Sequence, residues 1–336
     1  MADGKWITEL TADTPLADAA RRVLSVRLAV VHHYLPLAMR QADEDIEYVH
    51  QLRVATRRAG AALEIFSVCL PEKELRKAKK ALRGVRRAAG EARDWDVFLD
   101  GLPGGKWHSH RLLPVRDLLL GYALARRVAA QDVLANASPN YPFAFERFQA
   151  ETVAAVHKPK TEPEMRTLAE LAQPMISRLL QELHEAACGD LDDYDHLHQV
   201  RIIGKRLRYA MEVFVDCFAP SFKDELYPTV EHMQELLGDA NDSHVAHQRL
   251  TLVRGRLEAL RPHDWRRYRQ GLESLCRYHE DRLVEKRKEF IGWWQRWQET
   301  GGEENFRALL KPIVLEHNGA SDATPHATHE AFEPNV

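Results

Sequence analysis

Cysteine is scarce in this chain of 336 residues: Cys69, Cys188, Cys217 and Cys276 lie far apart among apolar neighbours, and no C-x-x-C pair occurs. That argues against a disulfide framework and reads as buried free thiols. Long hydrophobic runs are also missing, since no apolar stretch reaches the roughly 20 residues that a membrane helix needs. The segment Met1 to Pro15 carries acids and polar residues where a signal peptide has a basic start and an apolar stretch, so a cytoplasmic protein is expected. Alternating strand-like runs bounded by turns are hard to find, which points away from sheet. A basic excess is absent too: 47 Lys and Arg stand against 50 Asp and Glu, for a formal net charge of −3. Long-range attraction to a polyanion is therefore not written into the composition, and the local distribution of charge has to decide.

Catalytic signatures are lacking in the same way. The sequence holds no P-loop, no H-E-x-x-H and no close set of acids beside its basic segments. Hydrolysis of a phosphoanhydride usually needs a metal held by carboxylates or a nucleophile activated by a base, so a non-enzymatic protein without catalytic residues or cofactor is expected.

What is present is helical periodicity. Apolar residues recur at three- and four-residue spacing almost throughout, which predicts an all-α fold. The pattern places helices near 15–39, 43–69, 71–89, 94–101, 109–137, 143–156, 163–187, 193–217, 222–238, 241–260, 263–297 and 303–315. Two prolines in the stretch 157–163 mark a linker. Residues 1–14 read as an N-terminal segment, 15–156 and 164–316 as two halves, and 317–336 as a disordered tail with little to bury.

An internal repeat sets the architecture. Val49-His50-Gln51-Leu52-Arg53-Val54-Ala55-Thr56-Arg57-Arg58 returns as Leu197-His198-Gln199-Val200-Arg201-Ile202-Ile203-Gly204-Lys205-Arg206, shifted by 148 positions from His50 to His198. The same shift relates Phe66 to Phe214, Cys69 to Cys217, Gly90-Glu91-Ala92-Arg93-Asp94 to Gly238-Asp239-Ala240-Asn241-Asp242, and Val97 to Val245. Two helical bundles of one fold are expected to pack about a pseudo-twofold axis, with equivalent residues facing each other.

At about 100° per helical residue, His50, Arg53 and Arg57 fall within roughly 60° of one another, with Arg58 at the edge. His198, Arg201 and Lys205 repeat the stripe, flanked by Arg206, with Arg208 and Tyr209 nearby. An isolated basic stripe is as readily a solvated face as a site, but recurrence at one spacing in both halves favours function. Cations one helical turn apart suit a ligand of regularly repeated phosphates. Arg76, Lys80, Arg83 and Arg87 share a further face, with Lys73, Lys77, Lys79 and Arg86 beside it. Like charges so placed repel, and an anionic partner would relieve them. Their counterparts are Asp224, Pro228, Glu231 and Glu235, so the attraction is expected mainly from the first half. Tyr122 and Arg126 resemble Tyr278 and Arg282, with Lys286 one turn beyond. Gly90 and Gly238 read as helix C-caps and Asp94 and Asp242 as caps of the helices that follow, the alternative being that these acids orient arginines of the stripes.

The doubled H-x-x-R-x-x-x-[RK]-R, each followed about 40 residues on by G-[DE]-A-x-D, resembles the CHAD family, the conserved histidine α-helical domains. The resemblance spans roughly residues 15–315. It implies two four-helix bundles around a central basic channel that binds inorganic polyphosphate, with some stand-alone, phosin-like members found on polyphosphate granules. By motif position it implies contacts from His50, Arg53, Arg57, Arg58, His198, Arg201, Lys205, Arg206 and Arg208. Where Arg208 stands in the second half the first has Gly60, which leaves a contact missing. The E-x-E-x-K strand of a triphosphatase domain, which many relatives carry, is absent, and a binder that works alone is expected.

Inorganic polyphosphate is thus the expected partner, together with other granule proteins, and no membrane is expected. Nucleic acid is a weaker alternative, because the stripes carry few aromatics for base stacking. A metal site is another, through His196 with His198 or Asp242 with His244 and His247, but Arg-rich surroundings repel a cation. An accessory role in recruiting a polyphosphate-metabolising enzyme also remains open. Histidines in the stripes would add charge as pH falls toward their usual value of about 6.5.

Overall fold

The starts of the two halves are tied together: Leu16 N–H donates to Arg166 O at 2.9 Å, and Leu168 N–H to Thr14 O at 2.9 Å. Beyond that bridge the computed structural model, which describes residues 5–102, 113–136, 141–159 and 166–310, is helical, with eleven α-helices and no strand of a sheet among the described residues. The helices are α1 (Leu16–Arg40), α2 (Glu47–Ile65), α3 (Glu72–Ala88), α4 (Gly90–Asp100), α5 (Leu113–Ala135), α6 (Tyr141–Ala154), α7 (Leu168–Ala187), α8 (Tyr194–Val213), α9 (Tyr227–Leu260), α10 (Pro262–Glu299) and α11 (Gly302–Ala308). The expected tail at 317–336 and part of the expected linker lie outside the described residues.

On α1 and α2 the buried face is the apolar one that three- and four-residue spacing marks. On α1, Ala20, Val23, Leu24, Leu28, Val31 and Leu35 are fully enclosed, and on α2 so are Val49, Leu52, Ala59, Ala62 and Leu63. Side chains of the larger kind contribute about 1.5–3 kcal/mol each when buried. Within the first half α1 packs on α2, α5 and α6, α2 on α3, and α4 on α5. In the second, α7 packs on α8, α8 on α9, and α9 on α10. The halves meet where α2 lies against α8, and these are the two helices that carry the repeated motif.

Three expectations are corrected. Residues 222–238 and 241–260 are not two helices: a π-turn at Phe222–Leu226 leads into α9, which runs unbroken through Gly238. Gly in a helix interior costs about 1 kcal/mol, and here buried Leu237 and Ala240 on either side keep the helix packed. Neither Gly90 nor Gly238 is a left-handed cap, since Gly301 is the one glycine with positive φ among the described residues. Of the cysteines, Cys69, Cys217 and Cys276 are buried, but Cys188 is exposed.

Candidate polyanion-binding site

The acids of the repeated glycine-acid motif seat arginines rather than capping helices. In the first half Gly90 opens α4, and its carbonyl accepts from Arg53 Nη1 at 2.5 Å while Arg53 Nη2 lies 3.2 Å from Asp94 Oδ1. A Cβ at position 90 would stand 3.1 Å from Arg53 Nη1, so glycine makes room for the guanidinium. Asp94 also receives Arg249 of α9, through its backbone carbonyl and its carboxylate. The pattern repeats electrostatically in the second half, where Asp242 acts on Arg201. The preceding acids form a second matched pair: Glu91 holds Arg126 at 3.0 Å, and Asp239 lies 3.7 Å from both Arg282 and Lys286. Lys286 is also 2.8 Å from Glu289. Arg126, Arg282 and Lys286 are therefore engaged by carboxylates.

Where α2, α3 and α8 converge they leave a cleft of about 420 Å³. Arg57 lines it from α2, Lys79, Arg83 and Arg86 from α3, and Lys205, Arg206 and Tyr209 from α8, around a floor of Thr56, Gly60, Ala61, Leu82 and Ile202. Glu64 is the one acid in the lining, and it lies 3.6 Å from Lys79. Gly60 opens this space, with nothing within 4 Å of where its Cβ would be.

A model of the CHAD domain family matches residues 19–251. The chain belongs to that family. Among solved structures it is similar to the CHAD domain from the plant Ricinus communis, with 24% identity over 90% of this chain and 94% of that one and a TM-score of 0.65. It is also similar to PptA from Streptomyces chartreusis, with 18% identity over 84% of this chain and 100% of that one and a TM-score of 0.64. No curated protein matches the chain.

Against this CHAD fold the residues singled out from sequence divide into three groups. Arg57, Arg83, Lys205, Arg206 and Tyr209 meet in the cleft. His50, Arg53, His198 and Arg201 flank it: Arg57 acts on Arg53 and His50 along α2 and on Arg201 and Lys205 across the halves. The rest are held elsewhere. Arg58 turns from the cleft to buried Glu212, with Nε 2.8 Å from Oε2 and Nη2 3.1 Å from Oε1. Its counterpart Arg206 lines the cleft but lies 2.8 Å from Glu182 of α7. Arg208 points to Tyr227 at 3.4 Å and Glu231 at 3.3 Å. Arg76 pairs with Glu72 at 2.7 Å, and Lys80 and Arg87 are exposed outside the cleft. The face of α3 that looks inward is thus Lys79, Arg83 and Arg86, turned by up to about 60° from the stripe that spacing favoured.

The cleft is a crowded electrostatic environment. Burial first, then Arg201 and Arg57, brings the Lys205 ammonium down to about 6. Burial also lowers Arg53, Arg86 and Arg201 from the usual guanidinium range, with neighbouring arginines adding to the effect. His50 and His198 are lowered by burial and by Arg93 and Arg201 respectively, so in the ligand-free protein they gain charge below their ordinary range and not at it. Among the described residues no three His, Cys, Asp or Glu side chains converge as a metal ion would require. His196 instead lies 3.1 Å from Asp193, and His244 stacks on Tyr194 with ring centroids 3.4 Å apart. None of the described helices is long and apolar enough to cross a membrane.

Sequence reading missed the buried network behind the cleft. Arg27 of α1, 2% exposed, donates to Glu212 at 3.2 Å, and the Tyr227 hydroxyl donates to the same carboxylate at 3.0 Å. The signal was present in the helical phase: Arg27 falls on the enclosed face between Leu24 and Leu28, and Glu212 lies between Met211 and Val213 in a fully buried turn. A charge at a core position requires a partner.

Proposed function

We propose that the cleft binds inorganic polyphosphate without transforming it. The observation that carries this reading is that Arg57, Arg83, Arg86 and Lys205 line one cleft and none has a carboxylate oxygen within 4 Å among the described residues. Three guanidiniums with no paired carboxylate repel one another beside an amine that an anion would protonate, and phosphate oxygens repeated along a chain would relieve that repulsion with charge-assisted hydrogen bonds at several points at once. The CHAD family's association with polyphosphate supports the ligand assignment, as do planar guanidiniums at helical-turn spacing. Nothing in the cleft offers a metal-binding carboxylate set or an activated hydroxyl, which favours a binder over a hydrolase. The flanking Arg53 and Arg201, with His50 and His198, extend the binding surface, and granule association in the cytoplasm is the cellular setting that such a binder suits.

The test titrates long-chain polyphosphate and single-stranded DNA of equal charge against the protein at rising salt. Polyphosphate is expected to bind more tightly, with affinity falling steeply as salt rises, and Arg57→Glu with Lys205→Glu is expected to abolish it. Equal affinity for both ligands would overturn the assignment in favour of a nucleic-acid binder. A fluorescent fusion in phosphate-fed cells tests the granule role, which diffuse signal around visible granules would contradict.

A further inference from the structure

Among the cleft cations, Lys205 is chemically distinct. Its half-buried side chain lines the cleft, and its amine has no carboxylate within 4 Å among the described residues and is crowded by Arg57 and Arg201. Arg83 and Arg86 enter the same cleft from the opposite helix, so guanidiniums stand ready to hold a phosphate beside the amine. A small phosphate-bearing electrophile placed there would meet a nucleophile and a stabilised leaving group together.

We propose that Lys205 is an acylation site for small acyl phosphates, whose phosphate group sits among Arg57, Arg83 and Arg86. The inference rests on reading the cleft as a phosphate site, though not on the length of chain it takes. In the step, Lys205 Nζ attacks the acyl carbon and a C–N bond forms. The bond from that carbon to the bridging oxygen breaks, and inorganic phosphate departs with the electron pair. The proton lost by the amine passes to phosphate or solvent, and no oxidation or reduction occurs. The guanidiniums contribute by stabilising the charge that grows on the departing phosphate. In the ligand-free cleft burial and the neighbouring cations hold the Lys205 ammonium down to about 6, and with a phosphate bound the burial still leaves more of the amine unprotonated than in an exposed lysine. An ordinary lysine at pH 7 leaves roughly one amine in a few thousand free. The resulting amide cannot take up a proton when an anion binds, and its acyl group fills part of the cleft. Acylation would therefore act as an off-switch for anion binding, written by the cell's supply of activated acyl groups.

The experiment incubates the full chain with acetyl phosphate at neutral pH and follows acetylation by peptide mass mapping. Lys205 is expected to label about tenfold or more faster than exposed Lys73 and Lys80, given the free-amine difference. Inorganic phosphate should protect Lys205 selectively, and Arg57→Gln, which also leaves less of the amine unprotonated, should slow labelling by acetyl phosphate several-fold more than labelling by a neutral acetyl ester. Lys205 remaining unmodified while Lys73 and Lys80 label would overturn the proposal, as would labelling that neither phosphate nor Arg57→Gln affects. Because protection is read with inorganic phosphate, failure to bind polyphosphate leaves this result intact, and the two readings fail separately.

Discussion

Arg58 of the first half and Glu212 of the second meet through two hydrogen bonds, 2.8 and 3.1 Å long, and the carboxylate has no solvent exposure. Motif position alone would make Arg58 a ligand contact. Its geometry makes it the clasp between α2 and α8, the two helices whose opposed faces form the cleft.

Breaking that clasp leaves a buried charge without its full set of partners. Glu212→Ala is expected to destabilise the protein by about 3–5 kcal/mol, because Arg27, Arg58 and Tyr227 all lose the Glu212 carboxylate as an acceptor. Denaturant unfolding measures it. A loss under about 1 kcal/mol would show that the network does not hold the halves together.

The two faces of α3 separate ligand cations from surface charge. Arg86→Ala is expected to weaken polyphosphate binding about tenfold and to reduce the salt slope by about one. Arg76→Ala, which removes an exposed pair with Glu72, should change affinity less than about twofold. Salt-dependent titration of both variants checks the contrast, and equal losses would place the ligand on the outer face.

Lys205 should couple binding to pH. In the folded chain its ammonium is held down to about 6. Unfolded, a lysine titrates near 10.4, so between about 6 and 10 the native state binds fewer protons and the ligand-free protein loses stability as pH falls through that window. A bound polyanion favours the charged amine, so binding takes up a proton and tightens as pH falls from about 8 to about 6. Lys205→Met is expected to stabilise the free protein by roughly 1–2 kcal/mol at neutral pH. It should also weaken binding about tenfold and flatten the pH dependence. Calorimetry in two buffers of different ionisation enthalpy counts the proton, and the absence of uptake would remove Lys205 from the site.

Helical periodicity and the 148-residue repeat made the architecture legible, because core spacing and duplication are both written in one dimension. The limits have physical causes. Whether Gly238 breaks a helix depends on how Leu237 and Ala240 pack, which tertiary contact decides. The face that α3 turns inward was ambiguous, since Lys79, Arg83, Arg86 and Arg76, Lys80, Arg87 lie only a partial turn apart on one cationic helix. Arg58 and Arg206 occupy matching motif positions and both engage acids, Glu212 and Glu182, that lie outside the motif. Ion pairing with residues distant in sequence separates a structural arginine from a binding one, and a motif does not record it.

The most direct test of the cleft as the polyphosphate site is arginine footprinting with a guanidinium-selective dicarbonyl, read by peptide mass mapping with and without long-chain polyphosphate. Arg57, Arg83 and Arg86 are expected to lose reactivity when the ligand is present, while Arg76 and the exposed Arg267 of α10 keep theirs. Protection confined to Arg76 and Arg267, with Arg57, Arg83 and Arg86 still reacting freely, would contradict it.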